Sequence, residues 1–149
     1  MTESLKDKIQ EDMKAAMRAK EKRHLGIIRL IQAAIKQREV DERITLDDDQ
    51  VIVVLDKMLK QRQESLTQYE KANRHDLAEQ EQYEMTVIKT YLPPPLTETE
   101  IDVLISQAIA ETGASSVKML GQVMTILKPQ MQGRVDMKQI SGLVKQRLG

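Results

Sequence analysis

Apolar residues recur every three or four positions along this chain, the period of a helix that buries one face. Thr2 or Ser4 is placed to cap a first helix, in which Leu5, Ile9, Met13 and Met17 form a narrow stripe that needs a partner helix. After the charged stretch Lys20, Glu21, Lys22 and Arg23, a second helix carries Leu25, Ile28, Ile31 and Ile35 on one face. Ile27, Leu30 and Ala34 widen that face, so this helix is expected to be more buried. Thr45 and Asp48 have the spacing of a capping box, and Asp47, Asp48 and Asp49 suit the positive end of a third helix starting near Leu46. Along it run Val51, Val54, Leu55, Met58, Leu59, Leu66 and Tyr69, and it ends near Asn73, a residue that tolerates the left-handed conformation of a helix end. Asp76 is then the expected cap of a fourth helix with Leu77, Tyr83, Val87, Ile88 and Leu92.

Pro93, Pro94 and Pro95 stop that helix, because proline lacks an amide to donate and disfavours a helical residue before it. The composition turns from charged to apolar immediately afterwards, which places a domain boundary here and a short stiff linker at 93–96. Thr97 with Glu100 is a second capping box, opening a helix with Ile101, Leu104, Ile105, Ala108 and Ile109 that stops at Gly113. The next carries Val117, Leu120, Val123, Met124, Ile126 and Leu127 as far as the break at Gly133. Asp136 caps a last one with Met137, Ile140, Leu143, Val144 and Leu148. The expected fold is all-α, in two helical bundles: an N-terminal four-helix part over 1–92 and a C-terminal three-helix bundle over 97–149.

Composition narrows the function more than the fold. With no Phe, no Trp and 2% aromatic residues, the core must be built from Leu, Ile, Val, Met and Ala. Nine methionines could line a promiscuous peptide groove, but Met13, Met17, Met58, Met119, Met124 and Met137 mostly fall on core faces, and core filling is preferred. The absence of cysteine excludes disulfides, a thiolate nucleophile and Cys-based zinc sites, and fits a reducing compartment. No apolar run approaches the roughly 20 residues of a membrane span, and Met1 to Lys8 is too polar for a signal peptide. A cytoplasmic protein without membrane contact is the expectation.

No catalytic constellation emerges. His24 and His75 are the only imidazoles, no Gly-x-Ser-x-Gly elbow exists, and His75 beside Asp76 reads better as a helix cap than as a general base. Glu79, Glu81 and Glu84 lack a His at ligand spacing, and Asp47 to Asp49 lack the glycine and closing Glu of a calcium loop, so no metal site is assigned. Gly121, Gly133 and Gly142 are isolated rather than part of a phosphate loop, so no nucleotide cofactor is assigned. The zero net charge gives no global attraction for nucleic acid, and DNA is not expected as a partner. Its distribution is more telling. Lys14, Arg18, Lys20, Lys22, Arg23 and Arg29 form one basic region; Lys118, Lys128, Arg134, Lys138, Lys145 and Arg147 form another, opposed there only by Asp136. Lys138 and Lys145, seven apart, share a helix face with Gly142 between them, where a phosphate chain could approach the backbone. Such a patch suits RNA held by phosphates and shape, and the lack of an aromatic platform argues against single strands.

Several strings resemble the YqeY proteins of the GatB/YqeY family: Arg29-Leu30-Ile31, Ala33-Ala34-Ile35-Lys36, Lys60-Gln61-Arg62-Gln63-Glu64-Ser65, Tyr69-Glu70-Lys71-Ala72, Arg74-His75-Asp76-Leu77 and Tyr91-Leu92-Pro93. Gly113-Ala114-Ser115, Met119-Leu120-Gly121-Gln122-Val123-Met124 and Gly133-Arg134-Val135-Asp136 are similar to the helical tail of the B subunit of tRNA-dependent amidotransferases. The resemblance implies two helical bundles and a link to a carbon-nitrogen ligase with glutamine as amido-N-donor, whose tail helps hold the tRNA body while other domains do the chemistry. On that reading Lys118, Gly121, Lys128, Gly133 and Arg134, with Lys138, Gly142 and Lys145, are the RNA-contact candidates. Pro95 departs from the pattern, where a polar residue is expected, and bears on the flexibility of the linker. The expected role is an accessory protein without chemistry of its own, docking tRNA or a tRNA-charging or amidotransferase complex. The alternative is a structural protein–protein adapter using the charged N-terminal helices.

Overall fold

Most of the helices begin where a short polar side chain takes up the free amide hydrogens of a first turn. The computed structural model describes residues 3–149; Thr2, one of the two candidate first caps, lies outside them. Ser4 Oγ accepts the Asp7 N–H at 3.1 Å and opens α1 (Leu5–Arg18). Lys20 turns the chain with φ 57°, α2 (Lys22–Glu42) follows, and Arg43 reverses it again with φ 56°. Then come α3 (Asp48–Lys71) and α4 (His75–Lys89), separated by Asn73 at φ 56°, the left-handed helix end its residue type favours.

The third helix starts later than the Thr45–Asp48 spacing suggests. Asp47 is the cap: its carboxylate accepts the Gln50 N–H at 2.9 Å, and Gln50 Oε1 accepts the Asp47 N–H at 2.9 Å. The reason lies in the core, since Leu46 just before the cap and Val51 in the first turn are both buried in one cluster, a hydrophobic staple that sets the entry point. Asp48 Oδ1 also accepts the Leu5 N–H at 2.9 Å, tying the start of α1 to the start of α3. Asp76 is likewise not a cap. Arg74 occupies that position, and Asp76 sits in the first turn of α4.

Residues Met1–Leu92 make one compact unit. Its core holds Ile9, Ile28, Ile31, Val51, Leu55, Ile88 and Tyr91, with a smaller cluster of Leu66, Ala78 and Met85 farther along the α3–α4 hairpin. Met17 and Leu30, expected on core faces, are instead half exposed. A single stripe on each helix already fills the interior, so a second apolar edge is left outside.

Residues Pro93–Gly149 make the other unit. The Thr97–Glu100 capping box opens α5 (Glu98–Thr112), which ends at Gly113 with φ 68°. A 3-10 turn, Val117–Met119, leads into α6 (Leu120–Met131), which runs through Pro129 in its last turn. Gly133 at φ 79° turns the chain, and Asp136, accepting the Lys138 N–H at 3.0 Å, caps α7 (Met137–Leu148). Ile105, Ala108, Val123, Leu127, Met131, Ile140, Val144 and Leu148 form its core, while Leu143 and Val117, expected within it, are partly exposed. The fold is all-α, and no strand occurs among the described residues.

Candidate functional site

Charge is segregated inside the C-terminal unit. The α5 helix carries Glu98, Glu100, Asp102 and Glu111 and no basic residue, whereas the segment from Val117 to the end carries Lys118, Lys128, Arg134, Lys138, Lys145 and Arg147 against Asp136 alone. Two of these cations are engaged internally. Arg147 pairs with Asp102 and donates to Ser106 Oγ at 2.9 Å, joining α7 to α5. Arg134 is half-buried; its Nε–H goes to the Pro94 carbonyl at 2.9 Å, while its own carbonyl accepts the Leu96 N–H at 3.2 Å. That pair of bonds fastens the Pro94–Leu96 segment to the turn between α6 and α7. Arg134 therefore has a structural partner that its place in a tail-like string did not reveal.

Lys118, Lys128, Lys138 and Lys145 are exposed, and none forms an ion pair or side-chain hydrogen bond among the described residues. On α7, Lys138, Gly142 and Lys145 follow one another at i, i+4 and i+7, which puts them on one face, the two lysines about 10 Å apart along the axis. Lys128 in the last turn of α6, Gly133 and Arg134 in the turn, and Lys138 in the first turn of α7 gather at one end of the helix pair. Lys118 belongs to the other end: Val117 Cγ2 lies 3.7 Å from the Cβ position of Gly149, beyond Lys145. Gly121 and Gly142 are helical and exposed, and a Cβ on either would meet nothing within 4 Å. Helix interiors disfavour glycine by roughly 0.5–1 kcal/mol relative to alanine, and no packing within the chain requires it at either position.

The structure does not assemble the other sequence candidates. The Asp76 carboxylate is turned to Arg74 Nε and Nη2, both at 3.4 Å, rather than to His75, and that hydrogen bond holds it below the usual carboxylate range. His24 Nδ1 is 3.4 Å from the Tyr83 hydroxyl, with the Arg23 guanidinium stacked 4.0 Å over the same ring. Glu84 accepts from Arg62 Nε at 3.2 Å and Gln80 Nε2 at 3.1 Å, whereas burial, and then the Glu84 charge, raise the Glu81 carboxyl. Among the described residues no three His, Cys, Asp or Glu side chains gather to hold a metal ion, and no helix is long and apolar enough to cross a membrane.

Similar proteins bear on identity and compartment. A curated protein of Pyrenophora tritici-repentis, named altered inheritance of mitochondria protein 41, mitochondrial, is 32% identical over 148 residues, which are 95% of this chain and 80% of that protein. The protein of the same name in Lachancea thermotolerans is 34% identical over 111 residues, 72% of this chain and 59% of its own length. That of Vanderwaltozyma polyspora is 34% identical over 102 residues, 66% and 55%. The chain thus spans about four fifths of the first and little over half of the other two. These names overturn the expectation of a cytoplasmic protein, since each relative is a mitochondrial one. Lack of cysteine and of a long apolar run describes any reducing aqueous compartment, and could not single out the cytosol. The family profile described as Yqey-like protein matches residues 6–148, the strings that carried the resemblance fall within that span, and the chain belongs to the Yqey-like protein family.

Proposed function

We propose that the chain is an accessory RNA-binding protein that holds structured RNA of the tRNA type through the α6–α7 face, serving glutamine-dependent amidation carried out by other subunits. One observation carries the reading. Within residues 93–149 every acid but Asp136 lies on α5, and Lys118, Lys128, Lys138 and Lys145, without ion-pair partners among the described residues, lie on the following segments. Lysines without internal partners are available to phosphates, and sequence-independent affinity of this kind comes from displacing counterions. Gly142 between Lys138 and Lys145 leaves the helix backbone open to a bulky polyanion. The chain has neither a cysteine thiol nor an amidase-type Ser-Lys motif for releasing ammonia from glutamine, and on this reading it positions the RNA while other subunits do the chemistry.

Gel shift of the full chain with total tRNA, over a range of salt, tests this. Binding is expected to weaken with salt, and Lys138→Glu with Lys145→Glu to weaken it at least tenfold and flatten the salt slope by about 0.7–0.9 per lost phosphate contact. No shift, or a shift that the double variant leaves unchanged, rules the proposal out.

A further inference from the structure

The α2 helix is apolar on two sides. Its inner side, Ile27, Ile28, Ile31 and Ile35, is buried in the core of the N-terminal unit. On the other side Gly26, Leu30, Ala33, Gln37, Val40 and, just past the helix end, Ile44 follow one another at alternating spacings of four and three. That is the repeat by which two helices meet along a seam. It is unpartnered within the unit: Leu30 is 50% exposed, Val40 61% and Ile44 39%. At Gly26 a Cβ would meet nothing within 4 Å, and Ala33 is exposed, so a second helix could come close along this line.

Charge beside the seam selects its occupant. Lys22, Arg29 and Lys36 flank it at steps of seven, with Arg43 next in the count, and all are exposed. None of them forms an ion pair or side-chain hydrogen bond among the described residues. Lys36 contributes only to the field that lowers the Glu39 carboxyl. Elsewhere on the same helix, Arg23 and Arg38 are satisfied by Glu79 and Glu42, each at 2.6 Å. On the opposite flank a groove of about 480 Å³ runs between α2 and α3, where Val53, 40% exposed, and Lys57, without an ion pair among the described residues, face Ala34, Gln37, Asp41 and the Arg38-paired Glu42. Asp41 accepts from Gln37 at 2.9 Å.

We propose that the outer face of α2 docks an amphipathic helix of a partner protein, with leucine-like residues on its seam and acidic residues on its flanks. A second copy of this chain fits poorly. Antiparallel pairing would set the basic flank against itself; parallel pairing would set it against Ile27, Ala34 and Asp41, so that Lys36 alone meets an acid. A nucleic-acid backbone would leave Leu30 and Val40 without a contact. A lipid surface calls for bulky apolar residues where α2 places Gly26, Ala33 and Gln37.

The test uses the full chain and fluorescence anisotropy with labelled peptides of about four heptads: leucine on the seam and glutamate on both flanks, the same composition scrambled, and lysine in place of glutamate. The glutamate peptide is expected to bind, with the other two at least tenfold weaker. Leu30→Gln with Val40→Gln should cost at least tenfold while the circular dichroism stays unchanged, and Arg29→Glu with Lys36→Glu should transfer preference to the lysine peptide. Lys138→Glu with Lys145→Glu should leave peptide binding intact, which separates this surface from the RNA proposal. Equal binding of the scrambled peptide, or no exchange of preference, overturns it. So does a dimer in sedimentation that Leu30→Gln dissolves, or a tRNA shift abolished by Arg29→Glu with Lys36→Glu.

Discussion

Tyr91 closes the N-terminal core with one polar bond. Its ring is buried, its hydroxyl donates to Asp12 Oδ2 at 2.6 Å, and the Lys8 ammonium lies 5.8 Å from the ring centroid. Burial, and then the Asp12 carboxylate, push the phenol above its ordinary range. Hydrogen bonds to a charged group contribute about 1.5–3 kcal/mol, so Tyr91→Phe is expected to lower stability by about that amount in urea unfolding. Asp12→Asn, which keeps an acceptor, should cost less. Glu39 makes a pH-dependent contribution. The Lys6 Nζ hydrogen bond at 2.6 Å, then the Leu46 N–H at 2.9 Å, hold its carboxyl below the usual range. A lowered native value means stability that is complete above the ordinary glutamate value of about 4.3 and is lost as the pH falls toward the native one. Glu39→Gln should therefore flatten the fall in melting temperature below about pH 4.5. None of these partnerships was legible in the sequence, where Tyr91 counted only as part of a short string, because each joins positions far apart in the chain.

Helix ends were the most legible elements. Ser4, Thr97 with Glu100, Gly113 and Asp136 act where their residue types predict, because a cap is decided within three or four residues. Thr97→Ala should cost about 1 kcal/mol in thermal unfolding. The start of α3 was shifted because burial of Leu46 outweighed the Thr45–Asp48 spacing. On α2 the spacing placed the core face correctly, with Ile27, Ile28, Ile31 and Ile35 buried, and only Leu30 was misplaced, because a second set of apolar positions overlaps the first along the sequence. Gly142 offers a sharper test. With open space at its Cβ, Gly142→Ala should stabilise α7 by about 0.5–1 kcal/mol. If RNA approaches the backbone there, the same change lowers tRNA affinity, a divergence that a purely structural glycine would not show.

Each of the two units has its own core. Leu127 is fully buried in the second, and removal of a buried leucine side chain costs about 2.7–5 kcal/mol. Leu127→Ala is expected to strip amide hydrogen-exchange protection from α5 to α7 while leaving α1 to α4 protected; loss in both units would show that they unfold together. The sequence by itself determined the helical class, several of the caps and most core positions, since periodicity and capping act over a few residues and need no knowledge of the rest of the chain. Tertiary structure alone decided which apolar edges remain outside and which cations are neutralised by remote acids. Arg147 meets Asp102, Arg134 meets the Pro94 carbonyl instead of an acid, and among the described residues the Lys138 and Lys145 side chains meet neither acid nor carbonyl. Those outcomes depend on which helices pack side by side, and the availability of a charge is a property of its neighbours in space.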